Sequence, residues 1–188
     1  MKTKWIKSPN CDERECECIS MIVIHYTALS LSETIKRFKD KNSEASAHYI
    51  IDRDGSITQM VKDEKKAWHA GESEFEGKSH VNDFSIGIEL VNWGPLRKKG
   101  GRFYTWKNDW SKPYDGETPV MSKDGCWQPF SEEQYESLVQ LMKTLSKKYP
   151  SITRERIKGH CDLCVPRGRK IDPGDAFDWE RILGAVFG

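Results

Sequence analysis

The feature that most constrains the fold is a short apolar run, mostly of β-branched residues, at positions 21–24, which stops at His25. This concentration of apolar and β-branched residues predicts a buried strand over residues 19–25. A histidine at the end of such a strand has two possible interpretations. It is either a hydrogen-bonded core residue or a metal ligand, and the run alone does not distinguish them.

Strands and helices are mixed along the rest of the chain. Further strands are predicted at residues 48–51, 56–61, 85–91 and 156–160. Helices are predicted at residues 32–38, from a capping box at Ser131 to about residue 149, and at residues 177–186. This mixture predicts an α/β fold: a single domain over residues 1–188 with a central mixed β-sheet flanked by helices.

Bulk properties exclude several classes of function. The 188 residues carry a formal net charge of +1, which gives no basic surface for nucleic acid. No apolar run reaches the roughly 20 residues of a membrane span, and the N-terminal residues do not resemble a signal peptide. We therefore expect a monomer, made in the cytoplasm, that binds neither nucleic acid nor membrane.

Two histidines and an aspartate are candidate metal ligands. His25 ends the first strand, His160 follows the last one, and Asp172 lies in a loop bounded by Pro and Gly. Two imidazoles and one carboxylate can hold Zn²⁺ and leave its fourth position open, as catalytic zinc sites do. We expect this site at one edge of the sheet face.

Two charged residues are candidate catalytic groups. Glu89 lies on the strand at residues 85–91, with Ile86 and Ile88 on the opposite face. A Glu among apolar residues is costly unless it is paired or functional, and the alternative interpretation is a Glu on the exposed face of an edge strand. Lys170 precedes Asp172 by two residues, so an extended backbone would place both side chains on one side.

The six cysteines allow a second metal site. Cys11, Cys16 and Cys18 together with Cys161 and Cys164 could form a thiolate zinc site, although the spacing is not that of a standard zinc finger. Reduced or partly buried thiols are the alternative.

Residues 92–130 form a long segment rich in Gly, Lys and Trp. It carries seven basic and four acidic side chains, a net of +3, and four tryptophans that include Trp93 and Trp106. Loops of this length are usually functional or disordered, and the aromatic content argues against disorder. The segment is interpreted either as a wall that grips substrate or as a structural flap.

Six motifs in this order resemble the type 2 N-acetylmuramoyl-L-alanine amidases, the zinc family of AmpD-like recycling amidases, phage lysin amidases and peptidoglycan-recognition proteins. The motifs are VIHYT (23–27), SAHYIIDRDG (46–55), AWHAG (67–71), NDFSIGIEL (82–90), GH (159–160) and RKIDPG (169–174).

The resemblance implies a role for each matching residue. His25, His160 and Asp172 match the zinc ligands, Glu89 matches the acidic residue proposed to activate water, and Lys170 matches a lysine beside the scissile carbonyl. The implied reaction is hydrolysis of the amide between N-acetylmuramic acid and L-alanine in peptidoglycan or muropeptides.

Three aromatic residues are predicted to bind the substrate: Trp68, His69 and Trp93. The resemblance leaves open whether the chain is a recycling enzyme or a phage lysin. It also leaves an alternative function, a muropeptide-binding module of the same fold that does not cut its ligand. The complete set of ligands and Glu89 favours the enzyme.

Overall fold

A computed structural model describes residues 3–15, 19–107 and 109–188. The strands, numbered in chain order, are β1 (Thr3–Trp5), β2 (Cys11–Glu13), β3 (Met21–Tyr26), β4 (Tyr49–Ile51), β5 (Ile57–Gln59), β6 (Lys65–Ala67), β7 (Glu74–Phe75), β8 (Lys78–Ser79), β9 (Ser85–Leu90), β10 (Pro95–Lys99), β11 (Arg102–Tyr104), β12 (Val120–Ser122), β13 (Gly125–Trp127) and β14 (Ile157–Gly159). The α-helices are α1 (Leu31–Lys39), α2 (Glu132–Lys148) and α3 (Trp179–Phe187).

A six-stranded mixed sheet forms the centre of the fold, in the order β1-β5-β4-β9-β3-β14. All neighbouring strands run parallel except the hairpin of β4 and β5, which pair antiparallel. The predicted α/β class with a central mixed sheet is therefore confirmed. The central strands β3 and β9 are almost wholly buried, as continuous apolar runs in parallel sheets usually are.

One face of this sheet packs against α2 and α3 and forms the largest core. Ile22 and Ile24 of β3 contribute to it, together with Leu138 and Leu141 of α2 and Ile182 of α3. These side chains recur at the spacing of a helix face or on alternate positions of a strand, which is why the sequence pattern predicted the elements. The opposite face carries smaller apolar clusters, which include Met21 and Val23 of β3, and beside them the candidate functional residues.

Capping residues define where the helices begin. Ser131 accepts a hydrogen bond from the backbone N–H of Gln134, and the Gln134 side chain accepts from the N–H of Ser131, so the predicted capping box is confirmed. Ser30 and Glu33 form the same arrangement at the start of α1. No helix in residues 3–15, 19–107 and 109–188 is long and apolar enough to cross a membrane.

Residues 92–130 are more regular than their composition suggested. They contain a four-stranded antiparallel sheet, ordered β11-β10-β13-β12, rather than a long loop. The pairing of Leu96 with Cys126 joins its two hairpins, and both side chains are buried. We call this second sheet, with its connections, the insertion (residues 92–130). How the predicted domain extends over residues 1–188 stays a prediction.

Candidate active site

The functional face of the central sheet is set by strand alternation. Ile24 points into the helix-covered core, so His25, the next residue on β3, points to the other face. Glu89 is directly beside His25 in the register of the parallel pair β3 and β9. The sheet therefore presents an imidazole and a carboxyl group side by side from two neighbouring strands.

The other two candidate ligands come from the segment after β14. His160 follows this strand, which pairs with β3, so it enters the site beside His25. The chain then returns, and the backbone N–H of Cys161 donates to the carbonyl of Asp172 at 3.0 Å. This backbone bond holds the Asp172 side chain over the two imidazoles.

The three candidate ligands converge on one point. Asp172 Oδ2 lies 2.8 Å from His25 Nδ1 and 3.1 Å from His160 Nδ1. All three side chains are buried, and one ligand atom from each lies within 4.8 Å of the others. The edge of a tetrahedron around Zn²⁺ is roughly 3.3 Å with ordinary zinc–nitrogen and zinc–oxygen distances. The spacing of the donor atoms is thus close to what a zinc ion requires.

The protonation of His160 also fits a metal. Its Nε2 lies 2.9 Å from the backbone carbonyl of Ala70, which can only accept a hydrogen bond. The proton of neutral His160 is therefore on Nε2, and Nδ1 directs a lone pair towards Asp172. A bond from the second ring nitrogen to a carbonyl is the usual way in which proteins orient a metal-binding imidazole.

Electrostatics favour the ionisation states that metal binding needs. Burial lowers the pKa of His25, against the opposing hydrogen bond with Asp172, and favours the neutral imidazole. Burial alone would raise the pKa of Asp172, but the two imidazoles hold it well below its usual range. When both imidazoles are neutral and carry the proton on Nε2, two lone pairs and a carboxylate face one point, an arrangement that a cation between them would stabilise. His25, His160 and Asp172 thus form a group suited to a metal ion.

Glu89 lies in the same cavity with one oxygen free. Burial, then the charge of Asp172, raises the pKa of Glu89 to about 8, while Lys170 opposes the shift. Within the part of the chain that the structure describes, Oε2 of Glu89 is buried and has no hydrogen-bond partner. Such an orphaned oxygen is costly in a core and common where a group must act on a substrate or on water.

A cavity of about 450 Å³ opens in front of these residues. This is within the range of small-molecule sites. Lys170, which is exposed, lines the cavity, as do Arg37 and Arg169, so three cations surround the carboxyl groups at its base. The cavity is therefore suited to a substrate that carries anionic groups.

The residues predicted to bind substrate are divided between two places. Trp68 and His69 line the cavity, as does Trp106 of the insertion. Trp93 instead lines a neighbouring pocket, together with Gln128. Trp106 is held at the cavity by its indole N–H, which donates to the carbonyl of Ala28 at 2.7 Å. The sequence placed Trp106 in an aromatic segment, but only the return path of β10 and β11 brings it to the site.

The thiolate site receives no support from the described residues. Cys11 and Cys161 are partly buried and Cys164 is buried, and all three are free thiols. Among residues 3–15, 19–107 and 109–188, the candidate metal group consists of His25, His160 and Asp172 without a cysteine. Cys16 and Cys18, the remaining members of that hypothesis, lie outside the described residues.

Comparison with known proteins agrees with this geometry. Residues 15–175 match the family described as N-acetylmuramoyl-L-alanine amidase. The chain is 36% identical to the 1,6-anhydro-N-acetylmuramyl-L-alanine amidase AmpD of Haemophilus influenzae, over 97% of this chain and 91% of that protein. It is 30% identical to the N-acetylmuramoyl-L-alanine amidase AmiD of Escherichia coli over 87% of this chain, and covers 52% of that relative.

Solved structures show the same fold. A selenomethionyl AmpD derivative matches with a TM-score of 0.71 and 29% identity, over 98% of this chain and 94% of that one. Escherichia coli AmiD in complex with anhydro-N-acetylmuramic acid-L-Ala-D-γ-Glu-L-Lys matches with a TM-score of 0.69 and 30% identity, over 92% and 60%. Because the family match covers residues 15–175 and the AmpD relative is 36% identical over nearly the whole of both chains, the chain belongs to the N-acetylmuramoyl-L-alanine amidase family.

Proposed function

We propose that this chain is a zinc-dependent enzyme that hydrolyses the amide between N-acetylmuramic acid and L-alanine in muropeptides or peptidoglycan. The observation that carries the proposal is the convergence of His25 Nδ1, His160 Nδ1 and Asp172 Oδ2 beside the orphaned carboxyl oxygen of Glu89. When bound by these three ligands, zinc would polarise the scissile carbonyl and make water acidic enough to attack near neutral pH.

Glu89 is proposed as the general base and acid. Its Oε2 is the buried, unpartnered acceptor of the cavity, so it is available to take a proton from the attacking water. The same carboxyl group then returns that proton to the amine of L-alanine as the amide bond breaks. A bound dication and Lys170 both favour the carboxylate that the first step requires, since nearby positive charge lowers the pKa of a carboxyl group.

Lys170 is proposed to stabilise the transition state. Its cationic side chain lines the cavity next to the metal-ligand group. Negative charge develops on the carbonyl oxygen when water adds to the amide, and a fixed cation beside that oxygen lowers the barrier. Trp68, His69 and Trp106 form parts of the cavity wall and are proposed to bind the sugar or the stem peptide.

The substrate class is inferred from the matched proteins. One relative is named as an amidase of 1,6-anhydro-N-acetylmuramyl-L-alanine, and a matched structure holds an anhydro-muramyl peptide. This chain nevertheless spans only a little over half of several other AmpD relatives. Because both names refer to anhydro-muramyl compounds, we propose soluble anhydro-muropeptide as the first candidate substrate and the intact wall as the second.

The direct test is digestion of a purified anhydro-muropeptide and of intact sacculi, side by side. Release of free peptide that begins with L-alanine is the expected product. Preference for the soluble fragment would favour a recycling enzyme, and preference for sacculi would favour a lysin. Binding of the muropeptide without any cleavage would instead identify the chain as a non-catalytic recognition module.

Glu89→Gln sharpens this test. Gln is nearly isosteric with Glu but cannot take a proton from water, and loss of a general base typically costs about 10²–10⁴ in rate. The variant should keep its fold and its zinc, as measured by thermal unfolding and metal analysis. Turnover close to that of the wild type would assign the base to another group.

A further inference from the structure

We propose that Ser85 and His69 are positioning residues that fix the tautomer of His25, so that its Nδ1 is free to bind zinc. This inference rests on the zinc site of the proposed function and adds to it a second layer of residues. It follows from the direction of three consecutive hydrogen bonds behind His25, which lead from the metal-ligand group to a backbone carbonyl.

The direction of the first bond is fixed by chemistry. Ser85 Oγ lies 2.7 Å from the backbone carbonyl of Val81, which can only accept. The single hydroxyl proton of Ser85 is therefore used in this bond. Ser85 Oγ also lies 3.2 Å from His69 Nε2, and in that contact it must be the acceptor. His69 consequently carries its proton on Nε2.

The remaining bonds follow in turn. A neutral imidazole has one N–H, so Nδ1 of His69 is an acceptor. Its partner is His25 Nε2, at 3.1 Å, which must donate. With its proton on Nε2, His25 directs the Nδ1 lone pair at Asp172 and at the metal position. The sequence of bonds thus assigns to His25 the tautomer that a zinc ligand needs.

The two ligand histidines differ in how this tautomer is secured. His160 donates to the carbonyl of Ala70, which cannot act as a donor, so its tautomer needs no further control. His25 faces another imidazole, which can either donate or accept. Without Ser85 the proton of His69 can move to Nδ1, and His25 would then be forced to carry its proton on the metal side.

His69 is also held in place by the sheet beneath it. A Cβ built on Gly87 of β9 would lie only 2.4 Å from Cγ of His69, so glycine is what allows the ring to lie flat on the strand. The backbone N–H of His69 donates to the Asn82 side chain at 3.2 Å. The ring is therefore fixed by its own backbone and by packing, independently of His25.

The test measures zinc affinity by competition with a chelator, on the full chain. His69→Leu removes the acceptor and keeps an apolar side chain of similar reach, whereas His69→Asn places Oδ1 close to the position of Nδ1. Loss of an outer partner of a metal-binding histidine typically weakens metal affinity about 10- to 100-fold. We expect that loss for His69→Leu and a change within about threefold for His69→Asn, since the acceptor is restored.

Ser85→Ala is the second variant, because it tests the relay without touching either imidazole and removes only one oxygen. We expect it to weaken zinc binding about tenfold, at the lower end of the range for such partners. His80→Asn is the matched control: His80 is exposed, and its backbone has a positive φ that Asn tolerates. Its zinc affinity should equal that of the wild type.

A spectroscopic readout distinguishes tautomer control from packing. Long-range ¹H–¹⁵N spectra of the metal-free wild type should show the proton of His69 on Nε2, and those of metal-free Ser85→Ala should show it shifted towards Nδ1. Wild-type zinc affinity in both His69→Leu and Ser85→Ala would overturn the inference, and so would equal losses in His69→Leu and His69→Asn. Failure of the wild type to bind zinc through His25 would instead overturn the proposed function.

Discussion

Replacing Gly87 by alanine is expected to disturb the site without changing any charged or hydrogen-bonding group. The new Cβ would lie 2.4, 2.6 and 2.7 Å from Cγ, Cδ2 and Nδ1 of His69. Carbon atoms pack at about 3.5–4.0 Å, so the ring must retreat by about 1 Å. A shift of the ring away from the strand would move its nitrogens out of line with His25 and Ser85, now 3.1 and 3.2 Å away, and would weaken both hydrogen bonds.

Two consequences of Gly87→Ala can be given magnitudes. Overpacking of a well-filled interior typically costs about 1–3 kcal/mol of unfolding free energy. Loss of the partner of His25 should weaken zinc binding about 10- to 100-fold. Denaturant unfolding of the metal-free protein measures the first effect, and competition with a chelator measures the second.

Gly184→Ala is the matched control for this substitution. Gly184 lies within α3, and a Cβ at this position meets nothing within 4 Å. Alanine is favoured over glycine in a helix interior, so this variant should be as stable as the wild type or more stable by up to about 1 kcal/mol. Wild-type stability and zinc affinity in Gly87→Ala would refute the packing of His69 on the sheet.

Two further predictions test the cavity wall and the core. Trp106→Ala should raise KM for muropeptide more than it lowers kcat, because the ring supplies binding in the ground state; Trp93→Ala, from the neighbouring pocket, should change both less. Burial alone would raise the pKa of Asp63, but hydrogen bonds from Lys148 and Tyr49 hold it below its ordinary value. The ionised Asp63 therefore stabilises the fold at neutral pH, and this contribution is lost as the pH falls through the folded-state pKa. Asp63→Asn should lower the free energy of unfolding by about 1–3 kcal/mol at pH 7 and by less in acid, as measured by urea unfolding.

The central strands and the helices were predictable because their burial leaves a clear pattern. β3 and β9 are apolar runs or alternations, and the capping box at Ser131 marks the start of α2. The strands that the sequence did not reveal are short, polar and at edges. β2 (Cys11–Glu13) and β6 (Lys65–Ala67) pair only with each other, across more than fifty residues. Their stability comes from tertiary contacts rather than from local preference.

The insertion was hidden for the same reason. β10 ends in three basic residues and β11 begins with another, so neither shows the alternation of a half-buried strand. Their pairing depends on a turn at Gly100 and Gly101, both of which have positive φ. Because the path of this segment could not be predicted, neither could the choice of Trp106 over Trp93 as the ring that faces the cavity.

The candidate site was predictable at the level of residue types but not of their connections. The motifs predicted that His25, His160, Asp172 and Glu89 share a cavity, and the structure brings them together. The sequence assigned His69 to the substrate alone. Its place behind His25 depends on which strand neighbours which, and that is a property of the folded sheet.

A crystal structure of freshly purified protein, with anomalous data collected at the zinc absorption edge, tests the central claim most directly. We predict one zinc ion at about 2.0–2.1 Å from Nδ1 of His25 and of His160, and about 2.0–2.2 Å from a carboxylate oxygen of Asp172. An anomalous peak on Cys161 or Cys164 instead, or no zinc in fully active protein, would contradict the account.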